Sequence, residues 1–264
     1  GWAPKDLKYR WHWTFPIHVS EHKKHAVYVG SQYVHRSTDL GQSWEVISPD
    51  LTLNLKSHQQ SSGGIAIDNL MTFDGSVLFA INESPLKQGL IWVGSNDGQV
   101  HLTRNSGRTW INVTENINMP PWGTISNIEA SRFDAKTAYI SVDFHQMGDF
   151  EPYIYKTTDY GKSWEKISAD IPKSYSSFVH VVKEDPKQES VLYAGTDNSV
   201  YVSVNGGKHW TKINNNLPPA PVYWITIQEH FDDMVIGTYG RGIFILDDIS
   251  PFREMANSNQ NEVN

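Results

Sequence analysis

Apolar residues along this chain come in short bursts, too brief for helices and too evenly spaced to be accidental. Val27-Tyr28-Val29-Gly30, Ile91-Trp92-Val93-Gly94, Ala138-Tyr139-Ile140-Ser141 and Leu192-Tyr193-Ala194-Gly195 each carry branched or aromatic residues and end on a small one. Such runs between polar turn clusters predict strands. A more apolar run precedes each: Thr14 to Val19, Val77 to Ile81, Ile125 to Ala130, and Phe178 to Val182. A third strand follows, in which a ring (His35, His101, Tyr155, Tyr201) stands two residues before a hydroxyl (Ser37, Thr103, Thr157, Ser203). A fourth, very short one begins after a tryptophan, as in Trp44-Glu45-Val46-Ile47-Ser48 and Trp164-Glu165-Lys166-Ile167-Ser168. The unit is four strands, here A to D, and four-stranded units repeating in this way predict the blades of an all-β propeller.

The turn between strands C and D repeats most closely. It reads Ser37-Thr38-Asp39-Leu40-Gly41-Gln42-Ser43-Trp44, Thr103-Arg104-Asn105-Ser106-Gly107-Arg108-Thr109-Trp110, Thr157-Thr158-Asp159-Tyr160-Gly161-Lys162-Ser163-Trp164, and Ser203-Val204-Asn205-Gly206-Gly207-Lys208-His209-Trp210. Asp39, Asn105, Asp159 and Asn205 can accept backbone N–H groups just downstream and fold the chain into an Asx-type turn. Gly41, Gly107, Gly161 and Gly207 can take φ > 0 without a Cβ clash. Trp44, Trp110, Trp164 and Trp210 then return the chain to apolar packing.

A fifth unit is unfinished. Its strands are expected at Val222 to Ile227, Met234 to Gly237 and Gly242 to Asp248, but no glycine and tryptophan follow, and Ile249-Ser250-Pro251 ends it. The blades are therefore placed at about 11–48, 76–115, 124–169, 177–214 and 222–249, with a polar tail, 251–264, expected to be disordered. The missing strand is expected from the stretch Leu7 to Trp13, from an N-terminal half of a longer protein, or from a partner chain, because an open edge strand invites pairing.

Composition narrows the partners. With 22 Lys+Arg against 29 Asp+Glu the 264-residue chain carries a formal charge of −7, which argues against nucleic acid or an anionic membrane surface. No apolar run is long enough to cross a membrane as a helix. Ten Trp and twelve Tyr suit a strand-rich protein that displays rings. The absence of cysteine removes thiolate chemistry and disulfides. The chain begins at Gly1 without a signal peptide or initiator Met, and reads as a mature product or an excised segment.

The repeated turns resemble the Asp-box, or bacterial neuraminidase repeat, of sialidases, two-propeller xyloglucanases and sortilin-type receptor ectodomains. From Asp6 to Asp248 the chain is most similar to the C-terminal half of large secreted bacterial proteins of the sortilin-like class. Ser48-Pro49-Asp50-Leu51-Thr52, Pro152 to Gly161, and Tyr239-Gly240-Arg241-Gly242 carry that likeness. It implies a bacterial protein that is secreted, periplasmic or at the cell surface, with further blades on the N-terminal side. Relatives of this kind are known by the repeat or as glycosyl hydrolases. Sialidase chemistry is disfavoured: arginines are few, Arg104 and Arg108 lie within a repeat turn, and the family's Phe/Tyr-Arg-Ile-Pro motif is absent.

Blade geometry places candidate sites. A–B and C–D turns share one face, and B–C and D–A loops share the other, so the repeat turns form scaffold and a ligand is expected opposite them. The loop Asp143-Phe144-His145-Gln146-Met147-Gly148-Asp149-Phe150-Glu151 is long and acid-rich. Asp143, Asp149 and Glu151 are the candidate carboxylates for glycoside hydrolysis, which needs two across the scissile bond; a solvated loop whose acids cap turns is the competing reading. His145, Arg241, Tyr239, Trp122, Asp97 and Asp197 are candidate binding residues. Arg241, between glycines, points at a ligand carboxylate or pairs with Asp97 or Asp197. Trp224 is expected in the core of strand A. His22-Lys23-Lys24-His25 reads as a solvated turn, Gly63-Gly64 lacks the context of a phosphate loop, and neither a metal site nor a cofactor is expected. The expected role is binding or scaffolding with a glycan or protein ligand, glycoside hydrolysis or a structural subunit of a larger assembly being the alternatives.

Overall fold

A computed structural model of the chain describes residues 7–59, 76–213 and 216–261. Five antiparallel sheets follow one another along the chain, four of four strands and a last one of three. Blade 1 comprises β1 (Ile17–Val19), β2 (Val27–Gly30), β3 (Val34–Ser37) and β4 (Glu45–Val46). Blade 2 comprises β5 (Leu78–Glu83), β6 (Ile91–Ser95), β7 (Val100–Thr103) and β8 (Ile111–Asn112). Blade 3 holds β9 (Thr124–Ala130), β10 (Ala138–Asp143), β11 (Tyr153–Thr157) and β12 (Glu165–Lys166). Blade 4 holds β13 (Val179–Glu184), β14 (Leu192–Thr196), β15 (Val200–Ser203) and β16 (Thr211–Lys212). Among the described residues blade 5 has β17 (Val222–Gln228), β18 (Asp233–Thr238) and β19 (Ile243–Leu246) and no fourth strand. The expected all-β propeller blades are thus present, the fifth unfinished.

Successive strands A pack side by side around an axis: β1 on β5, β5 on β9, β9 on β13 and β13 on β17. Small residues at the end of strand B make this approach possible. A Cβ on Gly94 would stand 2.3 Å from Ile125 and one on Gly195 2.6 Å from Val222, both on the next blade's strand A. The apolar cores lie between blades, where burial of branched and aromatic side chains drives the packing. Trp92, Tyr139 and Tyr193, all at one position of strand B, are fully buried there. Two polar ties run from that position of strand B to the acid ending the next strand A: Tyr28 Oη donates to Glu83 at 3.3 Å and Tyr139 Oη to Glu184 at 3.0 Å.

The repeated turns are scaffold in the literal sense. Asp39 Oδ1 accepts from Ser43 N at 2.9 Å, and Asn105, Asp159 and Asn205 accept from Thr109, Ser163 and His209 N at 2.9 to 3.0 Å. The hydroxyls of Ser37, Thr103, Thr157 and Ser203 each accept the N–H of the turn glycine, whose φ lies between 79° and 90°. Two of the turns also reach back to the preceding blade through their indoles. Trp110 Nε1 donates to Ile47 O at 2.9 Å and Trp210 Nε1 to Ile167 O at 2.6 Å. Trp44, with no described blade beside it on that side, is 44% exposed and donates to its own Gly41 O.

Two expectations about the chain ends are corrected. The stretch Leu7 to Trp13 does not complete blade 5. Arg10 is buried against blades 1 and 2, its Nε donating to Ser76 O at 2.9 Å and its Nη2 pairing with Asp50 at 3.0 Å. Tyr9 and Trp11 lie against His35, at 4.8 and 5.1 Å between ring centroids, and so cover blade 1 itself. The segment after blade 5 is not a disordered tail through residue 261 but a helix, α1 (Ser250–Asn261). Its composition is polar, yet Phe252 and Ala256 sit at i, i+4 and pack into the core between blades 4 and 5. Arg253 pairs with Asp185 and Asp232, each at 2.8 Å. Residues 262–264 lie outside the described residues.

Candidate functional site

The axis is a channel of about 1020 Å³ lined by strand A of all five blades. One mouth carries A–B turn residues: Arg132 bridges Glu21 at 3.4 Å and Glu229 at 3.2 Å, from blades 1 and 5. The other mouth carries Asn96, His145, Gln146 and Tyr239 of the B–C loops, with Thr124 and Asp143 at the adjoining strand ends.

What fills this second mouth is set by a local device in strand A. In blades 2 to 5 the pairing of strand A with strand B slips by one residue near its start. The residues left without an opposite partner are Phe79, Ser126, His180 and Tyr223, and all four line the channel. A β-bulge re-aims a side chain in this way, and here it is repeated blade by blade.

His180 is the centre of the resulting cluster. Its ring is 5% exposed; Nε2 lies 3.1 Å from Asp197 Oδ1 and Nδ1 4.0 Å from Asp143 Oδ2. It stacks on Tyr223 at 4.1 Å and 22°, and Tyr239 lies 5.7 Å beyond. Beside it, His145 Nδ1 donates to the Asp143 carboxylate at 2.7 Å, with its ring stacked on Phe178 at 4.7 Å. The hydrogen bond to Asp143 raises the pKa of His145, while partial burial opposes it. Burial, then the charges of Asp197 and Asp143, raise that of Tyr223. The mouth thus gathers the Asp143 carboxylate, two imidazoles and the rings of Tyr223 and Tyr239, with Asp197 bonded to His180 behind them.

The acid-rich loop divides. Asp143 and His145 face the axis, but Asp149 and Glu151 do not join them. Asp149 accepts from Tyr153 Oη at 2.7 Å and Glu151 N at 3.0 Å, the geometry of a capped turn. Glu151 pairs with Lys173, and with Lys166 at 3.7 Å; the hydrogen bond to Lys173 lowers its pKa, so it holds its charge rather than a proton. Asp97 is buried, accepting from Leu53 N at 2.9 Å and Ser95 Oγ at 2.5 Å, and burial raises its pKa. Trp122 takes φ of 69° and stacks on His58 at 4.4 Å. Tyr239 is 73% exposed at the mouth. Arg241 is exposed on the blade 5 turn and pairs with neither Asp97 nor Asp197. Trp224 is a correction: it is 56% exposed on the open face of blade 5, its indole N–H donating to Thr226 Oγ1 at 3.0 Å, because no further described blade covers it. His22 Nε2 donates to Ser84 O at 2.7 Å, and no group of three metal-ligating side chains occurs among the described residues. Gly63-Gly64 lies outside the described residues.

His180, Ser126 and Phe79 escape a reading by strand alternation. In Val179-His180-Val181-Val182 the apolar phase slips by one residue, which is the mark of the bulge and the available clue.

Comparison with known proteins agrees on the fold. The GH74 xyloglucanase from Xanthomonas campestris superposes with a TM-score of 0.66 at 18% identity, over 88% of this chain and 36% of that one. An ancestral GH74 enzyme gives 0.62 at 19%, over 84% and 27%. The extracellular domain of a one-component system from B. thetaiotaomicron gives 0.59 at 12%, over 89% and 26%. This chain therefore spans 26% to 36% of the length of these three proteins. No curated protein matches it in sequence. The family model described as sortilin, neurotensin receptor 3, matches residues 98–240, more than half of the chain, including Asp143, His145, His180, Asp197, Tyr223 and Tyr239. The chain belongs to the Sortilin-Vps10 family.

Proposed function

We propose that this chain is a binding and scaffolding propeller of an extracytoplasmic bacterial protein, whose repeated Asp-box turns are framework and whose axial mouth holds a glycan. The observation that carries this reading is the cluster Asp143, His145, His180, Tyr223 and Tyr239 lining the open end of the channel, with Asp197 bonded to His180. Ring faces that stack on the C–H face of a sugar, beside charged groups that bond its hydroxyls, form a built carbohydrate surface. The likeness to an extracellular domain supports the location, and the open faces of blades 1 and 5 support completion of the propeller by an N-terminal half or a partner chain.

Titration against a panel of soluble oligosaccharides tests it. Saturable binding that falls at least about tenfold in Asp197→Ala and in Tyr239→Ala, with the melting temperature retained, is the expected result. Binding untouched by either change, or confined to a protein ligand, sinks it.

One observation favours glycoside hydrolysis as a second reading: Asp143 lines the channel beside a second carboxylate, Asp197, the two linked through the His180 ring. Reducing-sugar release that disappears in Asp143→Ala would put that reading first.

A further inference from the structure

Rings on the ligand face of the propeller form one connected string rather than a scatter. Tyr239, in the B–C loop of blade 5, lies 5.7 Å from Tyr223, which stacks on His180 at 4.1 Å. His180 meets Phe178 edge-on at 5.1 Å, and Phe178 stacks on His145 at 4.7 Å. The string then leaves the axis: Phe150 lies 6.1 Å from Phe178, and Tyr175 lies 5.5 Å from Phe150. It runs from the axial mouth, past the B–C loop of blade 3, to the D–A loop that joins blades 3 and 4. Both ends are open, Tyr239 in the mouth and Tyr175 at 85% exposure, whereas His180 and Phe178 between them are buried.

The outer end of the string is held in place. Tyr175 sits in a turn closed by Ser177 N, which donates to Ser174 O at 3.2 Å. Ser177 Oγ donates to Pro172 O at 2.5 Å and lies 2.8 Å from Ser174 Oγ, so both arms of the turn are tied together. Ile171, Ser177 and Phe178 anchor the loop by burial on either side. Phe150, half-buried, meets the Tyr175 ring at 70° and props it. A tyrosine has few rotamers to lose, and the turn fixes its backbone, so a ligand meets a preorganised ring face. A lone exposed ring is ordinary on a protein surface. This one is propped by a second ring, at the end of a string that begins in the candidate site.

We infer that Tyr175, propped by Phe150, is a remote subsite of the axial site, and that the ligand is a linear chain of β-1,4-linked pyranoses long enough to lie along the string. Resting on the glycan reading of the mouth, this subsite adds to it a chain length and a linkage. Each step between rings is on the scale of one pyranose, so a single sugar in the mouth cannot reach Tyr175, whereas a chain of several units can. The buried rings of His180 and Phe178 hold the string, and the exposed rings of Tyr223, Tyr239 and Tyr175 present faces to the chain. Pyranoses in this linkage, with mostly equatorial substituents, turn flat C–H faces to rings and carry their hydroxyls at the edges. Exposed Gln146, Lys173 and Ser174 flank the string where those hydroxyls fall. A protein ligand would ask for a broader apolar surface than this narrow string offers.

The probes are gluco-, manno- and xylo-oligosaccharides, all β-1,4-linked and running from di- to hexasaccharide, titrated calorimetrically into the whole chain. In the wild type, the hexasaccharide of the preferred series binds about tenfold more tightly than its disaccharide. Tyr175→Ala brings that ratio close to one at an unchanged melting temperature, since the ring is exposed. Tyr175→Phe retains the ratio, because the ring face and not the hydroxyl makes the contact. Tyr239→Ala weakens short and long members alike. A ratio near one in the wild type, or one that survives Tyr175→Ala, overturns the remote subsite and leaves the glycan reading of the mouth intact. Failure of all three series while another glycan of the panel binds does the same. If no saccharide binds at all, both fall.

Discussion

The B–C loops of blades 2 and 4 occupy the same place in the repeat and carry an aspartate at the same offset, yet they end in opposite circumstances. Asp97 is sealed: the main chain at Leu53 crosses over it and donates to it, and Ser95 closes the other oxygen. Asp197 keeps 29% of its side chain exposed and pairs with His180 at the mouth of the channel. The same residue type at the same turn is cement in one blade and a presented group in the other. What differs is the turn, one residue longer in blade 2, and the loop that crosses it.

The most direct way to break this comparison removes each acid. Asp97→Ala takes away the acceptor of Leu53 N and the nearer acceptor of the buried Ser95 hydroxyl, and is expected to cost about 2 kcal/mol in urea denaturation. Asp197→Ala is expected to cost less than about 1 kcal/mol, since its pair is partly solvated. Equal losses would mean that the two loops are equally structural.

A second sealed acid sharpens the point through pH. Burial pushes Glu184 up to about 7, against hydrogen bonds from Arg132 N, Ser131 and Tyr139 that favour its charge. A carboxyl whose folded pKa exceeds its unfolded one binds its proton more tightly when folded. Its stabilising contribution is complete below about pH 4.5 and lost as pH rises through about 7. The chain is therefore expected to lose on the order of 2–3 kcal/mol between pH 5 and pH 8. Glu184→Gln should remove most of that slope, and denaturation at several pH values measures it.

The smallest effect belongs to the open region. Asp143 raises the pKa of His145 by hydrogen bonding, so the pair stabilises the fold below the ordinary histidine value near 6.5 and loses that contribution as pH rises through the raised one. In Asp143→Asn the His145 titration followed by NMR should move downward toward the ordinary value. An unmoved midpoint would mean that the pairing is absent in solution.

Much of the architecture is legible in the residues because its causes are local. Asp39, Gly41 and Trp44, with their three counterparts, specify a turn by hydrogen bonds within a few residues, and the strands between them follow from alternation. The unfinished fifth blade is legible for the same reason, as the missing glycine and tryptophan can be seen. The axial site is only half legible. Asp143, His145, Asp197 and Tyr239 stand in the loops that blade geometry assigns to the mouth, but Asp149 and Glu151 lie beside them in the chain and turn outward to Tyr153 and Lys173.

The helix α1 shows the same boundary from the other side, since its polar composition conceals Phe252 and Ala256, which matter only once blades 4 and 5 stand close enough to be covered. The sequence by itself determined the repeating unit, its turns and its count, because each rests on short-range hydrogen bonding and strand periodicity. Tertiary structure alone decided which acids are sealed, which histidine the bulge aims at the axis, and which tryptophans lack a neighbour. Those outcomes depend on the approach of elements tens of residues apart, where burial and desolvation, rather than local propensity, set the energy.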